Sequence, residues 1–555
     1  MSRDEPPCQT ACPLKTDARG YVILTSVGRF DEAQRVAGAS NPLVVTCGRA
    51  CSAQCEAACR RRELDRPIAI RRIKRFLNDC VGGQQLSQRE KAAPTGKSVA
   101  IIGCGPAGLT AAHDLALLGH GVTIFDASSK PGGMAALGVP RFRLPFTELE
   151  RDISEIRRLG VTVVTGVRVG RDIAFSEVRA RFDAVFIAAG AFQPNRLEVP
   201  GAHLAGITLA LPWLEQANLT GLANCGDRVV VIGGGYTAMD AARTAVRLGT
   251  REVSIIYRRT RQEMEVHDDE LEETTEEGVA IHYLASPVRF ISVDGQSVSG
   301  VEFVRNKLGE PDESGRPRPL TIAGSEFVVE GDTVILAVGQ KPDLSFIDES
   351  LDTRNDVLGV RDTLQTSAPG VFAGGDYIRG SGTIVEAMAD GRRAAASIHR
   401  HLGFEAGSNG VRAASLCSVP LDHLYEGVWL SRKPPVMPKT DVGQRRRELD
   451  VEVEPALDLE TAVTEALRCL YCGLQPQISQ DECSLCRACL GICAEDCIGL
   501  VAEVGRDGRP AVWADSAQEA IGFAIDEERC IRCGQCARVC PTGAIRFPAL
   551  AGVEE

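Results

Sequence analysis

Hydrophobic and polar positions along the chain repeat one pattern twice in its middle. At KSVAIIGCGPAGLTAAHDLALLGHGVTIFDAS an apolar strand, Val99–Ile102, runs into a glycine-rich turn, an apolar helix and a second strand ending at Asp126. The same order returns at DRVVVIGGGYTAMDAARTAVRLGTREVSIIYRRT. Strand, turn and helix in alternation predict an α/β core across residues 96–402. Helix-forming stretches, Asp31–Val36 and Ile70–Asn78, lie in the block before it. A connector rich in proline and then in charge follows the core, and a short helix, LETAVTEALRC, precedes the last block.

Composition narrows the class. At 555 residues and 44% hydrophobic, the chain has material for about three or four domains. A net charge of −12 argues against a nucleic-acid partner. No apolar run reaches a membrane span and MSRDEPPCQT carries no apolar signal segment, so the expectation is a cytoplasmic protein without membrane insertion. Of its 21 cysteines, only Cys104, Cys225 and Cys417 fall between the two ends. Clustered at metal-ligand spacings in a chain of this kind, they point to thiolate ligands before disulfides.

Each glycine turn has a physical reading. In Gly103-x-Gly105-x-x-Gly108 the first glycine permits the tight turn, the second lets a pyrophosphate approach, and the third lets helix and strand pack closely. Asp126 is placed to accept from ribose hydroxyls. In the second turn Gly233, Gly235 and Ala238 hold these positions, and the following strand ends in Arg258 and Arg259 in place of an acid. Arginines there suit a 2′-phosphate, which favours NADP(H) over NAD(H); the alternative is a pair of solvated surface charges. Pro131-Gly132-Gly133, two strands ending in Ala188-Ala189-Gly190 and Ala337-Val338-Gly339, and Gly374-Gly375-Asp376 ahead of a helix starting near Thr383 resemble the two-dinucleotide flavoproteins. The resemblance assigns the first fold to FAD, with Gly133, Gly375, Asp376 and Thr383 as further contacts. No CxxC occurs in this core, so a redox-active thiol pair is not expected there.

Near the C-terminus, Cys483-x2-Cys486-x2-Cys489-x3-Cys493 is followed by Cys530-x2-Cys533-x2-Cys536-x3-Cys540-Pro541. This is the two-cluster ferredoxin spacing, in which the fourth cysteine of each run serves the other cluster. One [4Fe–4S] set is then Cys483, Cys486, Cys489 and Cys540; the other is Cys530, Cys533, Cys536 and Cys493. Zinc is the rival reading of paired CxxC, and the doubled run disfavours it. Cys497 reads as structural.

The segment CQTACPLKTD…NPLVVTCGRACSAQCEAACRRRELDRPIAIRRIKRF resembles the N-terminal cluster domain of dihydropyrimidine dehydrogenase and is similar to glutamate synthase small subunits. The likeness runs over residues 1–402, including Gly138–Pro145, and resumes at the ferredoxin segment. It implies up to two further [4Fe–4S] clusters: Cys8 and Cys59 match ligands of one, Cys12, Cys51 and Cys55 ligands of the other, and Cys47 a non-ligand. The family has another CxxC ahead of the position of Cys8. Cys469 and Cys472, in EALRCLYCG, look like that element displaced, and are expected to fold back to complete the cluster with Cys8 and Cys59; the alternatives are that they ligate nothing or that a partner chain is involved. Lys74 falls where the family has a Gln or Glu ligand. An ammonium offers no lone pair, so the fourth partner there stays open between Cys47, solvent and no cluster. Met264-Glu265-Val266 replaces the family's Met-Pro-Ala, and the pyrimidine-reducing domain has no counterpart.

The expected fold is an α/β core of two Rossmann-like domains, for FAD and NAD(P), flanked by an N-terminal α-helical iron–sulfur domain and a C-terminal ferredoxin-like 2[4Fe–4S] domain. Expected boundaries are 1–95 (helical), 96–225 and 331–402 (FAD), 226–330 (NAD(P)), 403–468 (connector) and 469–555 (ferredoxin-like). The expected function is an NAD(P)H:ferredoxin-type oxidoreductase, with ferredoxin or a catalytic redox subunit as partner. Its alternatives are a self-contained flavin reductase of a small organic acceptor and a non-catalytic scaffold.

Overall fold

The computed structural model describes residues 5–80, 91–312, 315–348, 351–354, 356–405, 432–470, 472, 477–504, 510–514, 516, 518–526, 529–530 and 535–546. They divide into two bodies: one within residues 87–406 and 438–455, the other within 1–86, 407–437 and 456–555.

The first body holds two five-stranded parallel sheets. One runs in the order Val371–Ala373, Ala184–Ile187, Ser98–Ile102, Gly121–Asp126, Thr162–Thr165. The other runs Ile207–Leu209, Thr333–Leu336, Arg228–Ile232, Glu252–Ile256, Ala280–His282. Their central strands are buried on both faces, which is why they read as unbroken apolar runs. The boundaries expected at 225 and 330 therefore shift outward. Ile207–Leu209 and Thr333–Leu336 belong to the second sheet, because each fold is completed by a parallel strand arriving late in sequence. An antiparallel sheet of Ala285–Ile291, Gly300–Pro311 and Pro317–Glu330 is inserted ahead of that late strand.

The second body begins with helices Ala18–Ser26, Phe30–Ala39, Val44–Arg49 and Ile70–Cys80. Asp17 caps the first by accepting from the Gly20 amide at 2.8 Å. The late helix Leu459–Ala466, capped by Asp458 through the Thr461 amide at 2.7 Å, packs into the same core: Leu457, Ala462, Ala466 and Leu470 join Tyr21, Ile73 and Phe76. Residues 456–470, expected for the most part as connector, are thus part of the helical core. In the ferredoxin-like segment, Gln477–Ile478 pairs with Ile545–Arg546, and Ile498–Val504 is flanked by Pro510–Trp513 and Gly522–Ile525.

Candidate functional site

In the first body, residues of both folds line a cavity of about 210 Å³ that opens to solvent. Gly103, Gly105, Asp126, Gly133, Gly375, Asp376 and Thr383, the residues expected at an FAD site, all border it. Gly103 has φ +108°, and a Cβ there would lie 2.3 Å from the Ala188 carbonyl oxygen. A Cβ on Gly133 would lie 2.7 Å from the Gly105 Cα, so these glycines form a cradle no side chain enters. Gly108 lies beneath: its Cβ would meet the Gly103 oxygen at 2.0 Å, which closes helix onto strand. The helices Pro106–Leu117 and Ile384–His401 both begin at the cavity, where their positive N-terminal ends favour negative charge. They cross at Gly391, where a Cβ would meet the Ala107 oxygen at 2.2 Å.

The Asp126 carboxylate accepts from the Cys104 amide at 2.6 Å and the Ser128 amide at 2.8 Å, which fixes the turn. Burial pushes the Asp376 carboxyl up to about 6. Thr383 caps its helix in a reciprocal pair with Glu386. Buried Cys104, pushed up to about 12 by burial and then by Asp126, is a packing residue.

The second turn repeats the first in physical detail. Gly233 has φ +153°, and its Cβ would lie 2.3 Å from the Ala337 carbonyl oxygen, just as that of Gly103 would from Ala188. Each turn is thus closed from below by the end of a neighbouring parallel strand. Gly235 faces open space and Ala238 is fully buried in the helix Tyr236–Arg247. The two arginines part company. Arg258 is exposed, whereas Arg259 is buried, pairing with Asp312 at 2.7 Å and donating to the Pro317 carbonyl at 2.8 Å. Of the pair, only Arg258 is therefore open to a 2′-phosphate.

The second body brings together the cysteines expected to converge. Cys8, Cys59, Cys469 and Cys472 line one cavity with Arg19, Arg60 and Arg61. Burial, then Cys469 and Cys472, raises the Cys8 thiol well above the usual range, as closely spaced thiols in an apolar pocket require. The fold-back is held by an ionic latch in which Arg468, Glu465 and Arg61 are buried and Asp65 is exposed. Arg468 pairs with Glu465 at 2.6 Å and with Asp65 at 2.8 Å, and Arg61 donates to the Arg468 carbonyl at 3.2 Å. Arg19 donates to the Cys472 carbonyl at 2.8 Å. Removing one partner of such a pair costs about 3–5 kcal/mol. Arg468→Ala is accordingly expected to lower the unfolding free energy by that order, read by denaturant unfolding; an unchanged midpoint would contradict the latch.

Around Cys12, Cys51 and Cys55 the arrangement differs. Lys74 is buried, and although burial opposes its charge, the thiols of Cys47, Cys51, Cys55 and Cys12 raise its pKa. A hydrogen bond from Cys47, then Lys74, lowers the Cys51 thiol to about 6. Burial raises the Cys55 thiol instead, so the set is a cysteine pocket with a buried lysine beside it. In the ferredoxin-like segment, Cys483, Cys486, Cys489 and Cys540 line one cavity, bringing the last cysteine of the second run to the first run. Cys493 and Cys530 both approach Cys497, whose sulfur is 3.3 Å from that of Cys493; Cys536 is buried in the same cluster. Cys533 lies outside the described residues. Among the described residues no three His, Cys, Asp or Glu groups converge on a single-ion site. The cysteine cavities gather thiols from distant parts of the chain, the donor type an iron–sulfur cluster takes.

Sequence reasoning missed Tyr236, Thr237, Asp240 and Gln340 at the flavin cavity. It also missed the ionic network behind them. Arg143 bonds Asp240 at 2.5 Å and also pairs with Glu270, while Arg243 and Arg247 pair with Glu277. Burial pushes Asp240 up to about 6 against the pull of Arg143. The one available signal was Gly138–Pro145, which contains Arg143.

Comparison with known proteins agrees with this geometry. Residues 97–391 match the family described as pyridine nucleotide-disulphide oxidoreductase. Residues 2–85 match dihydropyrimidine dehydrogenase domain II, 4Fe-4S cluster, and residues 523–546 match a 4Fe-4S binding domain. The chain is 38% identical over 508 residues to the NADP(+)-dependent formate dehydrogenase subunit beta of Moorella thermoacetica, covering 84% of this chain and 70% of that one. It is 37% identical to the NADPH-Fe(3+) oxidoreductase subunit beta of Geobacter sulfurreducens, covering 84% and 75%. To the glutamate synthase [NADPH] small chain of Azospirillum brasilense it is 36% identical, covering 71% and 86%. No helix among the described residues is long and apolar enough to cross a membrane.

Proposed function

The chain belongs to the pyridine nucleotide-disulphide oxidoreductase family, and from that premise we propose that it is an FAD- and iron–sulfur-dependent NAD(P)H oxidoreductase serving as the electron-transfer subunit of a larger redox enzyme. The observation carrying this reading is that one chain holds both a flavin cavity and cysteine cavities, while the nucleotide-binding core has no thiol pair of its own: Cys104 and Cys225 are its only cysteines. Bound in these sites, FAD would supply hydride exchange with nicotinamide and the clusters single-electron transfer.

The chain's residues supply placement. The Gly103–Gly108 turn and the Pro106 helix receive a pyrophosphate, while the Ile384 helix start favours negative charge at the far end of the cavity. Cys8, Cys59, Cys469 and Cys472 hold one cluster; the two ferredoxin-like sets, completed by Cys533, hold two more. Cys12, Cys51 and Cys55 offer three ligands of a further site, with Lys74 beside it in place of a fourth. Thiolate ligands in this number suit the reducing cytoplasm. The partner is ferredoxin or a catalytic redox subunit. NADPH-dependent reduction of ferredoxin by the purified chain tests the reading; turnover of a small organic acceptor alone, with ferredoxin untouched, favours the self-contained reductase.

Nucleotide choice rests on Arg258. Arg258→Ala is expected to raise KM for NADPH about tenfold or more, the worth of a charge-assisted hydrogen bond, and to leave NADH nearly unchanged. Arg259→Ala breaks the Asp312 pair instead and should affect both nucleotides alike. Steady-state kinetics with each nucleotide distinguish these outcomes.

A further inference from the structure

Arg60 follows Cys59 directly and lines the cavity of Cys8, Cys59, Cys469 and Cys472. Its Nη1 also donates to the backbone carbonyl of Cys530 at 3.1 Å, across 470 positions of sequence. One side chain thus borders one cysteine set and holds the backbone of another. A second contact runs beside it: Ala537, next to Cys536, packs against the core built from the N-terminal helices. Cys530 and Cys536 are both buried, and Cys493 lies in the same apolar cluster. In the other ferredoxin-like set Cys489 is buried too, and Cys483 and Cys540 border the same apolar cluster, so among the described residues the two sets differ at one ligand. Cys486 is exposed, and its neighbour Leu485 is 51% exposed.

We propose that Arg60 is a positioning residue that seats the Cys493/Cys530/Cys536 set, and not the Cys483/Cys486/Cys489/Cys540 set, beside the Cys8/Cys59/Cys469/Cys472 cavity. The inference rests on the cluster-ligand reading above and adds an order to it: the first set is the inner neighbour and the second is the solvent-facing end. A guanidinium suits the position because it stays charged, presents several donors in a fixed plane, and lies between two groups of thiolates.

The test is electron paramagnetic resonance of the iron-loaded, chemically reduced full chain, with iron and sulfide assayed on each sample. Wild type is expected to show spin–spin broadening between the Cys8 set and a ferredoxin-like set. Arg60→Ala should lose that broadening at unchanged iron, and Arg60→Lys, which keeps one donor, should restore part of it. Should Arg60→Ala lose iron, the comparison passes to Cys486→Ser, which removes the outer set and should leave the broadening in place. Broadening that survives Arg60→Ala, or disappears in Cys486→Ser while the inner set keeps its iron, overturns the proposal. Wild type without iron overturns the ligand reading itself, so the two failures are told apart.

Discussion

Replacing Cys469 and Cys472 together with serine should remove about four iron and four sulfide per chain while leaving flavin in place. These residues lie more than four hundred positions from Cys8 in sequence, yet share its cavity. The effect is large because the site is otherwise complete. The helix Leu459–Ala466 is packed into the N-terminal core, and the Arg468 latch holds the following residues against Arg61. Serine preserves size and removes the soft thiolate that iron–sulfur clusters select. Iron, sulfide and flavin assays on one anaerobic sample read the result. Unchanged iron would mean that the two cysteines border the cavity without ligating anything in it.

Gly133→Ala should reduce flavin content tenfold or more, since about 1.4 kcal/mol is worth a factor of ten and this substitution meets two obstacles. Gly133 has φ +55°, a conformation costing an L-residue about 1–3 kcal/mol, and its new Cβ would press on Gly105 at 2.7 Å. Gly105→Ala provides the contrast. Its Cβ finds nothing nearer than the Gly133 Cα at 3.9 Å, so the protein itself has room and only the nucleotide is excluded. Both variants should lose flavin, but only Gly133→Ala should also lose stability. Flavin absorbance and thermal unfolding measure the two effects. Full flavin retention in Gly133→Ala would contradict the cradle.

The glycine turns were legible because their chemistry is local. A tight turn, a close approach and a packed helix each restrict one residue, and the period of the apolar runs supplies the flanking strands and helix. The ferredoxin-like runs were legible for the same reason. The pairing of Arg259 with Asp312 was not, since the partner lies more than fifty positions away. Domain limits failed where a strand crosses back late, as Thr333–Leu336 does. The Arg143–Asp240–Glu270 network stayed hidden because nothing in the spacing of those residues brings them together. The fold-back of Cys469 and Cys472 came only from likeness to a displaced motif; its physical cause, the latch of Arg61, Asp65, Glu465 and Arg468, is a tertiary arrangement.

The most direct test of the central claim is an anaerobic titration of the purified chain with NADPH, followed by absorbance. Flavin and the broad iron–sulfur absorption are expected to bleach together, with more than one NADPH consumed per flavin because the clusters accept the excess. Bleaching that ends at one NADPH per flavin, with the iron–sulfur absorption untouched, would contradict it.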